Sequence, residues 1–160
     1  AQRAKEFIMR DDPRPFFLYF CTDDPHRDKT SFANDRALPG VKAVKYSPDE
    51  IVVPDWLPDL PEVRRELADY YEAITRADQG LGEIVTLLKE TDHWEDTLTA
   101  YVSDNGPPFP GAKTNLYEPG TRLPLVIRVP GQQEGTVAAS RLPYRQDPRL
   151  EEQILPGSHG

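Results

Sequence analysis

Ser103-Asp104-Asn105-Gly106 follows the apolar pair Tyr101-Val102 and sets a carboxylate beside an amide. Both offer hard oxygen donors of the kind that bind Ca²⁺ or Mg²⁺. Asn-Gly is also a strong hairpin signal, because both residues tolerate positive φ. Two readings therefore stand for this stretch, a tight turn or the edge of a metal site. The residues after it, "PPFPGAK", carry three prolines and cannot supply the regular ladder that a two-residue hairpin needs. Two side chains do not complete a calcium shell of about six to eight oxygens, so a metal site here requires further ligands. Lys113 follows across a Gly/Pro loop short enough to reach ~30 Å at most when extended, and its ammonium can return to the same place. His26 stands in a second polar cluster, "TDDPH", after another apolar run. Taken singly, Lys113 reads as a solvated surface lysine and His26 as a loop residue.

Three apolar runs and one long periodic segment must position these groups. Phe16 to Cys21, "FFLYFC", reads as a strand covered on both faces, with Cys21 a buried thiol at its end. Thr97 to Ser103 and Leu123 to Val129 read as two further strands. Between the first and second lies an apolar stripe, Val63, Leu67, Tyr70, Ile74, Ala77, Leu81, Ile84 and Leu88. Its alternating steps of four and three predict one buried helix face. Asp59 and Glu62 fit a capping box with Pro61 in the first turn, and Gly80 and Gly82 suggest close packing or a bend. Ala4, Phe7 and Ile8 suggest a helix end before "DDPRP". Pro39, Pro48, Pro54 and Pro58 keep the segment between extended, on the rim or over a site. Strand, long helix, strand is a crossover unit, which predicts a largely parallel sheet flanked by helices. Both polar clusters then fall at carboxyl ends of strands, where such sheets bind ligands.

The 160 residues suffice for one domain with a real core. A net charge of −8 leaves no basic surface for nucleic acid and disfavours anionic membranes. No apolar run is long enough to insert across a bilayer as a helix. A single cysteine excludes an internal disulfide and a cysteine-rich zinc site.

Taken together, "PFFLYFCTDDPHR", "YYEAITRADQGLGEIVTLLKE", "YVSDNG" and "GAKTNLYEPGTRLPLVIRVPG" resemble the sulfatase family, with the nearest likeness to its heparan N-sulfatase branch, over residues 14–131. The resemblance implies a partial alkaline-phosphatase-like α/β sandwich and hydrolysis of a sulfate ester or sulfamate on a sulfated sugar at a calcium site. It implies a periplasmic, secreted or lysosomal setting. By the same motifs Asp104 and Asn105 match metal ligands, Lys113 the basic residue that holds the sulfate, and His26 the histidine at the sulfate or leaving group. Lys113 and His26 are thus the candidate catalytic and substrate-binding residues.

The family's nucleophile, a formylglycine made within a C-x-P-S-R-like motif, has no counterpart here, because the one cysteine continues as "CTDDP". The family's N-terminal aspartate pair is missing too, and Asp23-Asp24 belongs to the "DPH" loop. The expectation is a partial catalytic domain over 1–131, an internal slice or degenerate copy, with the formylglycine in a missing N-terminal part. Residues 132–160 read as a divergent, poorly ordered tail. Two alternatives stay open: a non-catalytic calcium- or glycan-binding remnant of the fold, and a phosphodiesterase or phosphonate hydrolase of the same superfamily.

Overall fold

The computed structural model describes residues 2–29 and 31–131; the expected tail, 132–160, lies outside the described residues. A short helix α1 (Gln2–Ile8) comes first, and a 3-10 turn spans Pro48–Glu50. The long helix α2 (Pro61–Glu90) follows, then β1 (Thr99–Val102), a single helical turn α3 (Glu118–Thr121) and β2 (Leu125–Arg128). No helix among the described residues is long and apolar enough to cross a membrane.

α2 forms where the apolar period predicts it. Leu67, Ala77, Ile84 and Leu88 of the stripe are buried, while Ile74 is exposed. The buried face is completed by Ala68, Ala73 and Leu87. Pro61 sits in the first turn, where its missing N–H has no intrahelical partner to lose. The expected capping box does not form, because Leu60 is the N-cap and makes no side-chain cap. Asp59 is drawn instead to Arg64, which donates to it from Nε at 2.5 Å and from Nη2 at 2.7 Å. That guanidinium holds the Asp59 carboxyl below the usual carboxylate range. It also donates to the Ile51 carbonyl at 2.8 Å, tying the 3-10 turn to the helix.

A second line of residues on α2 is polar and runs parallel to the apolar stripe: Asp69, Glu72, Arg76 and Gln79. It fastens the 22–46 segment along the helix. Asn34 Nδ2 donates to the Asp69 carbonyl at 3.0 Å, and Lys45 Nζ reaches the buried Glu72 carboxylate at 2.7 Å. Gln79 bonds both the N–H and the carbonyl of Lys42, at 2.8 and 2.9 Å. The proline-rich segment thus lies over the helix, but it turns repeatedly, at residues 34–35, 39–40 and 55–56 and in the 3-10 turn, and is not the extended run expected.

The strands depart from expectation. The sheet among the described residues has two strands, β1 and β2, and they are antiparallel, with Ala100 opposite Ile127 and Tyr101 opposite Val126. Phe16–Cys21 is extended but joins no ladder, so the expected parallel pairing is not formed. Only one of its faces is covered. Phe16 and Leu18 pack on Ala4, Ile8, Ile84, Leu87 and Leu88, whereas Phe17 and Tyr19 are 84% and 77% exposed. Cys21 is likewise exposed, against the expected buried thiol, because nothing among the described residues covers that side. A doubly apolar run records what a strand would meet on each face, and here one partner surface is absent from the described residues.

Gly80 and Gly82 have open space at the Cβ position, so neither serves the expected close packing. Gly80→Ala is accordingly expected to stabilise the chain by about 0.5–1 kcal/mol, since it restricts the unfolded state and meets no clash. A thermal melt checks it; an unchanged or lower midpoint would contradict it.

Candidate active site

The connection from β1 to β2, residues 103–124, carries three of the four candidate residues. Its base is closed by the Ser103 N–H donating to the Pro124 carbonyl at 3.3 Å. Neither Asn105 nor Gly106 takes the positive φ that a type I′ turn demands, so the stretch is not a two-residue hairpin turn. Gly106 is needed for another reason. A Cβ there would lie 2.4 Å from the Pro119 carbonyl oxygen, and one on Gly120 would lie 2.3 Å from the carbonyl oxygens of Ala112 and Asn115. The two ends of the loop are thereby packed backbone to backbone. Inside it, the Lys113 N–H donates to the Pro107 carbonyl at 3.1 Å and the Asn115 N–H to the Ala112 carbonyl at 3.0 Å. Thr114, between them, is held at φ 66°, a left-handed conformation that costs a β-branched residue about 1–3 kcal/mol.

His26 reaches this loop from the other side of the sequence. Its Nδ1 lies 2.8 Å from the Arg27 carbonyl oxygen, which only accepts, so Nδ1 carries the proton and Nε2 presents its lone pair. The Lys113 ammonium stands 3.4 Å from that Nε2, a long hydrogen bond. The structure thus brings His26 and Lys113 together. Asp104 is exposed and makes no hydrogen bond or ion pair among the described residues. The Asn105 amide donates from Nδ2 to the Gly106 carbonyl at 2.9 Å, while its Oδ1 meets no donor among the described residues. An open cleft of ≈ 240 Å³ adjoins His26, with Asp23, Asp28 and Arg36 in its wall.

Two anchors that sequence reasoning missed hold the His26 loop. Arg76, with its side chain 11% exposed, clamps Asp24 through two bonds, Nε to Oδ2 at 3.1 Å and Nη2 to Oδ1 at 2.7 Å. The same guanidinium donates to Asn34 Oδ1 at 2.5 Å and to the Phe32 carbonyl at 2.6 Å. A largely buried guanidinium is tolerated because its donors are met in this way. Phe32, fully buried, is the second anchor. Its ring centroid lies 5.4 Å from Tyr70 on α2 and 6.3 Å from Phe109 in the Lys113 loop, and Tyr70 and Phe109 are 5.4 Å apart. Burial in this cluster raises the Tyr70 phenol above its ordinary pKa. Arg27, next to His26, stacks over Phe32 with 4.7 Å to the centroid. The signal for Arg76 was present as a polar line at helical spacing, had the period been applied to polar residues as well as apolar ones. Phe109 stood hidden among prolines.

The sulfatase family model matches residues 1–148. The chain belongs to the sulfatase family. It is similar to the N-sulphoglucosamine sulphohydrolase of Homo sapiens, 37% identical over 141 residues that cover 79% of this chain and 28% of the relative. It is also similar to an ulvan-active sulfatase of Formosa agariphila, 25% identical over 83% of this chain and 27% of the relative. An N-acetylgalactosamine-6-O-sulfatase of Bacteroides thetaiotaomicron is 24% identical over 82% of this chain and 25% of the relative. The chain therefore spans roughly a quarter of the length of these sulfatases. The family match begins before and ends after residues 14–131, over which the sequence motifs carry the likeness.

Removing either anchor is expected to unfasten the His26 loop. Arg76→Ala leaves Asp24 without its partner and should destabilise by about 3 kcal/mol. Phe32→Ala opens a cavity worth about 3–5 kcal/mol. Gly106→Ala should cost about 1–3 kcal/mol through overpacking against Pro119. Urea unfolding of the three variants checks all of this, and a wild-type midpoint for any of them would contradict its assigned contact.

Proposed function

We propose that these residues form part of a sulfatase that hydrolyses sulfate esters or N-sulfate groups on sugars at a calcium site. The observation that carries the reading is the approach of the Lys113 ammonium to His26 Nε2 at 3.4 Å, made by two segments far apart in the chain. Family membership and relatives named for N-sulphoglucosamine, ulvan and N-acetylgalactosamine 6-O-sulfate direct it towards sulfated sugars.

The donor set suits a share of a calcium shell. Asp104 offers an exposed carboxylate and Asn105 an amide oxygen that meets no donor among the described residues. Among those residues no group of three or more His, Cys, Asp or Glu side chains is placed to hold a metal. The remaining ligands are therefore assigned to other parts of the enzyme, together with the formylglycine. Bound there, calcium would offset negative charge on the sulfuryl oxygens. Lys113 holds the sulfate by its charge, in a loop whose backbone is already fixed. Its ammonium faces the His26 lone pair, so the proton taken up by the leaving oxygen or nitrogen starts on Lys113 and is relayed through His26 Nε2, which accepts it from Lys113 and passes it on. The Arg27 carbonyl orients the imidazole by accepting from Nδ1.

The same reading places the chain in an alkaline-phosphatase-like sandwich. Its support is the uncovered apolar surface. Val102, Leu125, Val126 and Ile127 are each more than half exposed, and they face both sides of the β1–β2 pair. Phe16–Cys21 is extended with no strand beside it. Strands apolar on both faces are suited to the interior of a larger sheet.

The isolated chain is expected to turn over no aryl sulfate and to bind calcium weaker than micromolar in a calorimetric titration, with Asp104→Ala removing what binding there is. Submicromolar affinity would mean that the other ligands lie within these residues. In the longer enzyme, His26→Ala and Lys113→Ala should each lower kcat by about 10²–10⁴. Wild-type turnover in either variant would remove that residue from the mechanism.

A further inference from the structure

The peptide group between Arg27 and Asp28 has both of its polar atoms committed. Its carbonyl oxygen accepts from His26 Nδ1 at 2.8 Å, and its N–H donates to the Ser31 carbonyl at 2.7 Å. Both atoms lie in one rigid plane, so fixing the N–H also fixes the direction of the carbonyl. Ser31 is itself held to α2, its Oγ donating to Asp69 Oδ2 at 3.1 Å. The acceptor that orients His26 is thus tied to the long helix through Ser31.

The Arg27 side chain restrains the same residue from its other end. Its guanidinium lies 2.5 Å from Glu66 Oε2 on α2. That oxygen is shielded from solvent and accepts no aligned hydrogen bond among the described residues, so the guanidinium is the charge that compensates it. The Arg27 Cζ stands 4.7 Å from the Phe32 ring centroid and 5.9 Å from that of Phe109, which belongs to the Lys113 loop. Arg27 therefore joins the supports of the site: α2 through Glu66, the His26 loop through Phe32, and the Lys113 loop through Phe109. An arginine suits this place, since a flat cation can stack on rings while it pairs with a carboxylate.

These contacts bear on the tautomer of His26. An unconstrained neutral imidazole favours the proton on Nε2, and a fixed acceptor at Nδ1 reverses the preference. With the proton on Nε2, the Nδ1 lone pair would face the Arg27 carbonyl oxygen, and no acceptor would stand before the Lys113 ammonium. We infer that Arg27 and Glu66 are positioning residues: the clamped guanidinium holds the 27–28 peptide so that its carbonyl keeps His26 in the Nδ1–H tautomer, open to a proton from Lys113. The inference rests on the sulfatase reading only for the leaving group that this proton serves.

The tautomer is read from the ring-nitrogen NMR shifts of the full chain at a pH where imidazole is neutral, with His26→Asn identifying His26 among the three histidines. The wild type is expected to show the Nδ1–H form in excess. Arg27→Ala should return His26 to the Nε2–H preference, while the His93 signals, at the far end of α2, stay in place. Glu66→Gln keeps the shape and removes the charge, and should move His26 part of the way. Arg27→Lys should retain more of the Nδ1–H form than Arg27→Ala. Should Arg27→Ala fail to fold, Glu66→Gln and Arg27→Lys report the same change. An Nε2–H majority in the wild type, or a wild-type tautomer in folded Arg27→Ala or in Glu66→Gln, would overturn the inference. Neither sulfate nor turnover enters the measurement, so it decides the positioning role whether or not the sulfatase reading holds. In the longer enzyme, Arg27→Ala should lower kcat about tenfold at unchanged KM, less than the loss of His26 itself, and Arg27→Lys should recover part of it. A loss confined to KM would count against a role exerted through His26.

Discussion

The guanidinium of Arg76 is the constraint on which the arrangement of the site depends. It sits on a helix whose neighbouring positions are buried, and a charge placed there must be met from outside the helix. Asp24, Asn34 and the Phe32 carbonyl meet it, and all three lie on one loop. The only way for these acceptors to converge is for the loop to fold over α2, and that fold carries Pro25-His26 with it. The guanidinium thus sets where the loop carrying His26 lies, and the contacts of His26 with the Asp23 and Arg27 carbonyls and with Lys113 are made on that support.

The Lys113 loop is held by a different kind of force. Phe109 enters the apolar cluster with Phe32 and Tyr70, so the two loops share one core across α2. Close backbone packing at Gly106 and Gly120 then leaves the loop few alternative shapes. Polar anchoring on one side and apolar anchoring on the other bring His26 and Lys113 within hydrogen-bond range, although both side chains are open to solvent or half-buried. Neither side chain is buried in the core, so their order has to come from the backbone beneath them.

The uncovered strands fit this division. α2 and the segments it carries are internally satisfied, with a buried face, a polar line and two anchored loops. β1, β2 and the open face of Phe16–Cys21 are not, for apolar side chains such as Phe17, Tyr19, Val102 and Val126 face solvent. The chain spans roughly a quarter of the length of its relatives, and its apolar strands stand without the neighbours that such strands are suited to meet.

The sequence by itself determined α2, because a stripe at steps of four and three has only one fold that buries it. It determined the two apolar runs that pair as β1 and β2, and its motifs nominated His26, Asp104, Asn105 and Lys113 as candidates. What it could not state was which partner each polar residue would choose. Asp59 turned to Arg64 instead of capping its helix, and Arg76, one charge among many on α2, became the anchor of the His26 loop. Nor could the run Phe16–Cys21 disclose that one of its faces would stand open, because an apolar pattern records what a strand is suited to meet and not what is present. The hairpin reading of Asn-Gly fell only to the folded backbone. Gly106 has no need of positive φ, and its missing Cβ is required by Pro119, a residue brought beside it only when the loop closes. Period and composition are local properties of the chain, whereas the choice of a hydrogen-bond partner or a backbone neighbour is made in space.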